Sequence, residues 1–399
     1  LTETTSLERT GRISKTIGYY VAFIALGLIT ASLGPTLPGL AENTRSQLGE
    51  ISFLFTARSL GYLLGSILGG RLYDRVPGHP LMAAVLFVMA AMATLAPLIP
   101  LLWLLAVVLL ILGMAEATVD VGGNTLLVWV HRHKVGPFMN GLHFFFGVGS
   151  FLSPIIIAQA VLVGGNITWA YWALAVLILP AAIWLLRWPS PAAQVASKDD
   201  STEDPPQVNP LLVALIALFF FLYVGAEVGF GGWVFTYAVT LDLSGETTAA
   251  YLTSAFWGAL TIGRLLAIPI AARVRPRSIL LSDLLGCLAS VGVILLWPDS
   301  LTALWLGAFG LGFSMASVFP TTISLAERRM TITGRVTSWF FVGASIGGMS
   351  LPWLIGQLFE PVGPRAMMFA ILVDLVVAVG VFAALILYSA RPAPNEQIG

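Results

Sequence analysis

Long apolar stretches recur along the chain, separated by short polar segments. A helix needs roughly 20 apolar residues to cross the hydrocarbon core. The pattern therefore predicts twelve transmembrane helices, over residues 17–38, 48–73, 80–99, 102–130, 137–163, 167–187, 211–240, 249–272, 277–297, 301–326, 335–358 and 366–388. Several exceed the minimum, as tilted or broken helices do. Pro35, Pro154, Pro269, Pro320 and Pro352 lie inside them, where neighbouring helices can satisfy the backbone groups a proline frees. The first stretch follows a tail with Arg9, Arg12 and Lys15 and shows no clear small-residue cleavage site, so it reads as a retained helix instead of a signal peptide.

With twelve spans, the connecting segments alternate between two sides. Of the 20 Lys and Arg residues, Arg45 and Arg365 fall on one side and Arg58 and Arg264 lie within spans. The others, Lys198 and Arg391 among them, fall on the side holding both termini. Such a bias marks the cytoplasmic face, so the expectation is a multi-pass protein of the plasma (inner) membrane with both termini cytoplasmic. The longest connection, 188–210, is rich in Ser, Pro, Asp and Glu and reads as a flexible linker. It divides the chain into a bundle of six spans in 1–187 and another in 211–399.

Composition agrees: 57% of residues are hydrophobic and 10% charged, with a mean hydropathy of +0.89, against about 25% charged in a soluble chain. Membrane lipids are the expected surroundings. The 20 basic and 20 acidic side chains cancel. A single cysteine, Cys287, leaves no internal disulfide or multi-Cys metal site. No basic run or zinc spacing points to nucleic acid. No nucleophile elbow, metal-ligand spacing or phosphate loop points to an enzyme, and no resident cofactor is expected. A monomer is expected.

The halves repeat. A shift of 198 places Gly27 on Gly225, Gly34 on Gly232, Gly149 on Gly347, Pro154 on Pro352 and Gln159 on Gln357. These pairs join spans 1 and 7 and spans 5 and 11. Parallel halves related by an axis along the membrane normal put a transport site at the midplane between them. The fold class expected is all-α: two six-helix bundles with pseudo-two-fold symmetry, the major facilitator fold. Between spans 2 and 3, Gly70, Asp74, Arg75 and Gly78 match the signature loop of that superfamily, with one extra residue before the second glycine and His79 in place of the usual basic partner. Gly70, Asp74 and Arg75 would form a charge-assisted gating latch; the other reading is an ordinary positive turn.

Ionisable groups within spans are costly and mark function by default. Arg58, Glu116, Glu227 and Arg264 all come within roughly 5 Å of the midplane at 1.5 Å rise per residue. Glu116, Asp120 and Asn124 follow at i, i+4 and i+8 on span 4, so they share a helix face. Such a stripe avoids lipid, and it would either carry a proton, bind Na⁺ through Asp120 and Asn124, or serve as a packing network for spans 4 and 5. Span 5 adds Asn140 and His143 at a similar depth, and His143 is either a structural hydrogen bonder or part of the site. Asp283 and Asp374 read as structural. If all are ionised, Glu116, Asp120 and Glu227 against Arg58 and Arg264 leave one negative charge, which a bound H⁺ or Na⁺ would neutralise. Arg264 is also a gating candidate. In span 7, Gly229, Gly231 and Gly232 follow Glu227 and should weaken the helix there. Trp233, Tyr237, Trp257 and Trp339 offer flat apolar faces with polar edges, suited to a sugar or, equally, to packing.

Taken together, Glu116-Ala-Thr-Val-Asp120-Val-Gly122-Gly123-Asn124, Asn140-Gly-Leu-His143-Phe-Phe-Phe-Gly147-Val-Gly149, the segment Tyr223 to Trp233, and Gly310-Leu-Gly312-Phe-Ser314-Met-Ala-Ser-Val-Phe319-Pro320 resemble the fucose permease and sodium-dependent glucose transporter branch of the major facilitator superfamily. The resemblance implies sugar uptake driven by H⁺ or Na⁺. Glu116 matches the span-4 glutamate that takes part in proton coupling in fucose permease. The second proton-linked carboxylate of that protein, in span 1, has no counterpart, because residues 17–38 contain no acid. Asp120-Val-Gly-Gly-Asn124 is closer to the sodium–glucose members. The expected function is symport of a sugar such as a hexose by alternating access. The alternative is export of drugs or amphipathic lipids by proton antiport.

Overall fold

The computed structural model describes residues 2–191, 209–330 and 334–389. Most of the expected linker, together with Lys198 and Arg391, lies outside the described residues. Among the described residues there are helices and no strand. Twelve helical segments are long and apolar enough to cross a bilayer: Gly11–Thr30, Leu48–Tyr73, Gly78–Leu98, Leu102–His131, Gly136–Gly164, Ile167–Leu186, Pro210–Thr240, Glu246–Ala271, Pro276–Leu296, Leu301–Glu327, Val336–Phe359 and Ala366–Tyr388. They are called spans 1 to 12 below. The end of the molecule at which span 6 finishes and span 7 begins is called the linker end; the opposite end is the far end.

Besides a one-residue interruption at Ser52 near the start of span 2, two breaks precede prolines, and neither is in span 7. Its glycines sit in one continuous helix, Pro210–Thr240, contrary to the weakening expected there. The first crossing instead stops at Thr30 and resumes as Leu33–Thr44. The tenth stops at Met315 and resumes at Val318. Each break lies just before a proline, Pro35 and Pro320. A proline ring collides with the carbonyl four residues earlier, here Ala31 and Ala316, which fall in the two gaps. Pro154 and Pro352 lie within helices that continue.

The span 7 glycines serve close approach. A Cβ on Gly34 would lie 2.7 Å from the Gly231 carbonyl and 3.0 Å from that of Gly232. Gly34 and Gly232 are repeat mates, so the two halves touch where the repeat maps onto itself. The repeat also governs packing within each half. Gly149 of span 5 lies against the Ile24 backbone of span 1, and its mate Gly347 of span 11 against the Phe221 backbone of span 7. Spans 2 and 4 cross as closely: Gly61 and Gly65 face the Leu110 and Met114 backbones, and Gly113 faces that of Arg58.

Hydrogen bonds join the halves towards the far end. The Leu48 N–H donates to the Glu360 carboxylate (2.9 Å), the Gln357 amide to the Gly49 carbonyl (2.6 Å), and the Gln159 amide to the Tyr251 hydroxyl (2.6 Å). Gln159 and Gln357 are repeat mates, and each reaches the opposite half.

The span 2–4 crossing provides a direct test. Gly61→Val would drive its side chain into the Leu110 backbone, and overpacking of this kind costs about 1–3 kcal/mol. A thermal-unfolding assay in detergent should show a lower midpoint and less monodisperse protein. Gly380→Ala, at a position with nothing within 4 Å, should leave the midpoint unchanged.

Candidate functional site

Where the halves meet there is a cavity of about 320 Å³. Spans 1, 2, 4 and 5 line one side, and spans 7, 8, 10 and 11 the other. The charged groups estimated to lie near the midplane converge on it: Arg58, Glu116, Asp120, Glu227 and Arg264 all line its wall, with His143.

Arg58 and Glu116 form a two-pronged pair. The Arg58 Nε–H donates to Glu116 Oε2 at 2.7 Å, and Nη2 donates to Oε1. The same guanidinium donates to the Thr30 carbonyl (3.1 Å) and the Ile29 carbonyl (2.9 Å), which end the helix just before the span 1 break. The Thr30 hydroxyl completes the cluster, donating to Glu116 Oε1 at 3.1 Å. Glu116 is 1% exposed. The break exposes carbonyls, span 2 supplies the cation, and span 4 supplies the anion. A buried charge pair is stable only when its remaining donors and acceptors are satisfied, and this one meets that condition.

One turn nearer the linker end a second rung forms. The Tyr62 hydroxyl donates to Asp120 Oδ2. The Asn124 amide donates to Asp120 Oδ1 and to the Asp120 carbonyl, both at 2.9 Å. Arg58 and Tyr62 are four apart on span 2, as Glu116 and Asp120 are on span 4, so each pair shares a helix face. The glycines at this crossing bring the two helices close enough for both rungs. Asp120 is half-buried. Among the described residues it has no ion-pair partner within 4 Å, while Glu116 has Arg58 and Glu227 has Arg264 at 3.9 Å.

His143 is solvent-accessible at the cavity wall, with its ring edge-on to Phe23 at 6.0 Å between centres. Trp257 lines the cavity and is 7% exposed; its indole nitrogen has no partner among the described residues. The other aromatic candidates lie elsewhere. Trp233 is fully buried, donates to the Pro352 carbonyl (2.9 Å) and stacks on Phe359, so it packs the far end. Tyr237 is buried one turn beyond it, away from the cavity. Trp339, on span 11, is 54% exposed, and Asn140 is exposed near the linker end; neither lines the cavity. Asn124 reaches the site only through Asp120. Arg264, a gating candidate by sequence, lies in the cavity wall.

Gly70, Asp74 and Arg75 lie at the linker end of span 2, outside the cavity. Asp74 and Arg75 are exposed, and neither makes an ion pair among the described residues. His79, which stands in for the basic residue of that loop, is buried. Its ring nitrogens contact the Tyr19 hydroxyl (2.7 Å) and the Trp188 carbonyl (2.9 Å), tying span 3 to span 1 and to the chain just after span 6. Asp283 accepts from Ser317 at the span 10 break. No cluster of three or more His, Cys, Asp or Glu residues suited to a metal ion occurs among the described residues.

Tyr62 and Thr30 were not candidates by sequence. Tyr62 lies one turn from Arg58 and was open to discovery by the same i, i+4 reasoning applied to span 4. Thr30 carried no such signal, since its role depends on the helix break.

The sequence model of the Major Facilitator Superfamily matches residues 19–352. Sodium-dependent glucose transporter 1 of Xenopus laevis is 33% identical over 355 residues, covering 82% of this chain and 72% of that protein. Sodium-dependent glucose transporter 1A of Mus musculus is 31% identical over 381 residues, covering 85% and 88%. Among solved structures, a mutant of the nucleoside transporter NupG superposes with a TM-score of 0.75 at 13% identity, over 95% of this chain and 100% of that one. A D-xylose-proton symporter superposes with a TM-score of 0.72 at 13% identity, over 92% and 97%. At these identities the structural likeness is one of fold.

The paired rung yields an expected outcome. Arg58→Met leaves Glu116 buried without its cation, a change that costs about 3–5 kcal/mol, and the unfolding midpoint in detergent should fall accordingly. Combining it with Glu116→Leu removes the orphaned charge and should recover most of the loss. A double variant no more stable than Arg58→Met would show that the pair does not act as a unit.

Proposed function

The chain belongs to the Major Facilitator Superfamily, and from that premise we propose that it is a cation-coupled sugar symporter in which Asp120 carries the coupling charge. The observation behind this reading is the charge balance of the cavity. Glu116 and Glu227 each face an arginine; Asp120 faces a hydroxyl and an amide. Placing an ionised carboxylate in a low-dielectric wall is costly without a cation. A co-transported cation would supply that partner during the loaded step and withdraw it on release. Na⁺ is favoured over H⁺, because relatives above 30% identity are named as sodium-dependent glucose transporters. Asp120, joined by Asn124 once its amide rotates out of the donating pose to present its oxygen, would offer the hard oxygen ligands that such an ion takes. Tyr62 and Asn124 then act as placeholders, donating to Asp120 when no ion is bound.

A sugar is favoured as the co-substrate by the cavity itself. Its volume of about 320 Å³ lies at the small end of the roughly 300–1,000 Å³ range for ligand pockets, which fits a monosaccharide better than an amphipathic lipid and disfavours the export reading. Aromatic faces from Phe23, Phe55, Phe146, Trp257, Phe319 and Phe341 alternate with Thr30, Ser59 and Ser345. Such a lining suits a ring with apolar C–H faces and a hydroxyl rim. Alternating access would pivot on the Gly34–Gly231–Gly232 contact, opening the far end by releasing the two glutamine bridges. At the linker end, Asp74 and Arg75 would engage in the opposite state. The basic bias supports a cytoplasmic linker end.

The test is a proteoliposome uptake panel of monosaccharides under imposed Na⁺ or H⁺ gradients. A sugar accumulated against its gradient with Na⁺, and not with H⁺ alone, is the expected result. Asp120→Asn should reduce accumulation at least tenfold with the protein still folded. Accumulation that ignores both gradients, or that survives in Asp120→Asn with unchanged ion dependence, would contradict the proposal.

A further inference from the structure

At the linker end, spans 9, 10 and 12 enclose a second cavity of about 350 Å³, lined by Arg275, Arg277, Arg328 and Arg329, with Leu325 and Ile386 as an apolar wall. Two segments distant in sequence thus deliver four guanidiniums of one sign to one hollow, a third supplies Ile386, and no carboxylate lines it. Among the described residues, Arg275, Arg277 and Arg328 make no ion pair within 4 Å. The repeat sharpens the contrast. The matching loop of the first half sets Asp74 beside Arg75, whereas residues 271–281 contain no acid. The helix Pro276–Leu296 also begins here, turning its positive end to the same place.

Positive-inside bias explains arginines scattered over helix ends. It does not explain two pairs of them converging from separate segments on a hollow with an apolar wall. Like charges gathered in a concave surface repel one another and concentrate their field, which attracts an anion. The planar guanidinium fork matches phosphate oxygens two at a time. The hollow lies at the ends of helices long enough to span a membrane, where lipid headgroups are expected, and basic pockets between helices on the cytoplasmic side are suited to anionic headgroups. We propose that this hollow is a binding site for a phosphate group, supplied by the headgroup of an anionic phospholipid whose acyl chains run past Leu325 and Ile386. It is separate from the transport cavity, and the coupling role of Asp120 does not bear on it.

Native mass spectrometry of the full chain, delipidated in detergent and titrated with lipid, tests this. Phosphatidylglycerol should saturate one site on the wild type, and phosphatidylcholine should not. The triple variant Arg275→Gln, Arg277→Gln, Arg328→Gln should bind phosphatidylglycerol at least tenfold more weakly. A control triple, Arg132→Gln, Lys134→Gln, Arg187→Gln, removes the same charge from the same end and should bind like the wild type. Equal affinity in the two triples would overturn the proposal. Inorganic phosphate binding at these arginines, with no preference for phosphatidylglycerol over phosphatidylcholine, would overturn the lipid as occupant and point to a soluble phosphate compound. Should the triple variant not fold, Arg328→Gln alone is expected to weaken phosphatidylglycerol binding at least threefold, and unchanged binding there would overturn the proposal equally.

Discussion

Arg58 and Glu116 hold each other at the middle of their membrane-spanning helices, and much of the first half is arranged around that pair. Neither charge is tolerable alone at that depth. Each needs the other, and each needs its remaining donors and acceptors filled. The span 1 break supplies two free carbonyls to Arg58, and the hydroxyl at the same break reaches Glu116. Pro35 produces the break, and glycines at the span 2–4 crossing bring the two side chains within reach. A proline, three glycines, a threonine and two charges thus act as one local construction.

The same construction fixes what lies one turn away. Helices that cross closely enough to form the Arg58–Glu116 rung also form the Tyr62–Asp120 rung. The second rung differs in one respect: its span 2 member is neutral. The geometry is therefore repeated while the charge is not, and a carboxylate stands in the cavity wall without an arginine. The second half closes its own account with Glu227 and Arg264. A cavity with a carboxylate that faces no arginine changes its electrostatic cost when a cation enters, which is the physical basis of the proposed ion dependence.

The spans were legible in the sequence because lipid imposes a length and an apolarity that few other environments require. The repeat was legible too, and counting residues along the spans brought Arg58, Glu116, Glu227 and Arg264 to one level, where they line one cavity. Pairing was not, because it depends on which helices cross and in what register. Span 7 was misjudged for a definite reason. Glycine weakens an isolated helix, but in a membrane its missing side chain chiefly lets backbones meet, as Gly231 and Gly232 do at Gly34. The breaks follow Pro35 and Pro320, yet Pro154 and Pro352 interrupt nothing, and residue type alone does not separate the two cases. The aromatic candidates scattered likewise: Trp257 lines the cavity, Trp233 and Tyr237 are packed beyond it, and Trp339 is exposed.

Sugar counterflow in Asp120→Asn, measured beside the wild type with no ion gradient, bears most directly on the role given to Asp120. Exchange of labelled for unlabelled sugar needs the cavity and the rocking motion but no net ion movement. If Asp120 only couples the ion, counterflow should persist in the variant while its gradient-driven accumulation is lost. Loss of both together, in protein that remains folded, would show that Asp120 belongs to sugar binding or to the motion itself, and would contradict the assignment.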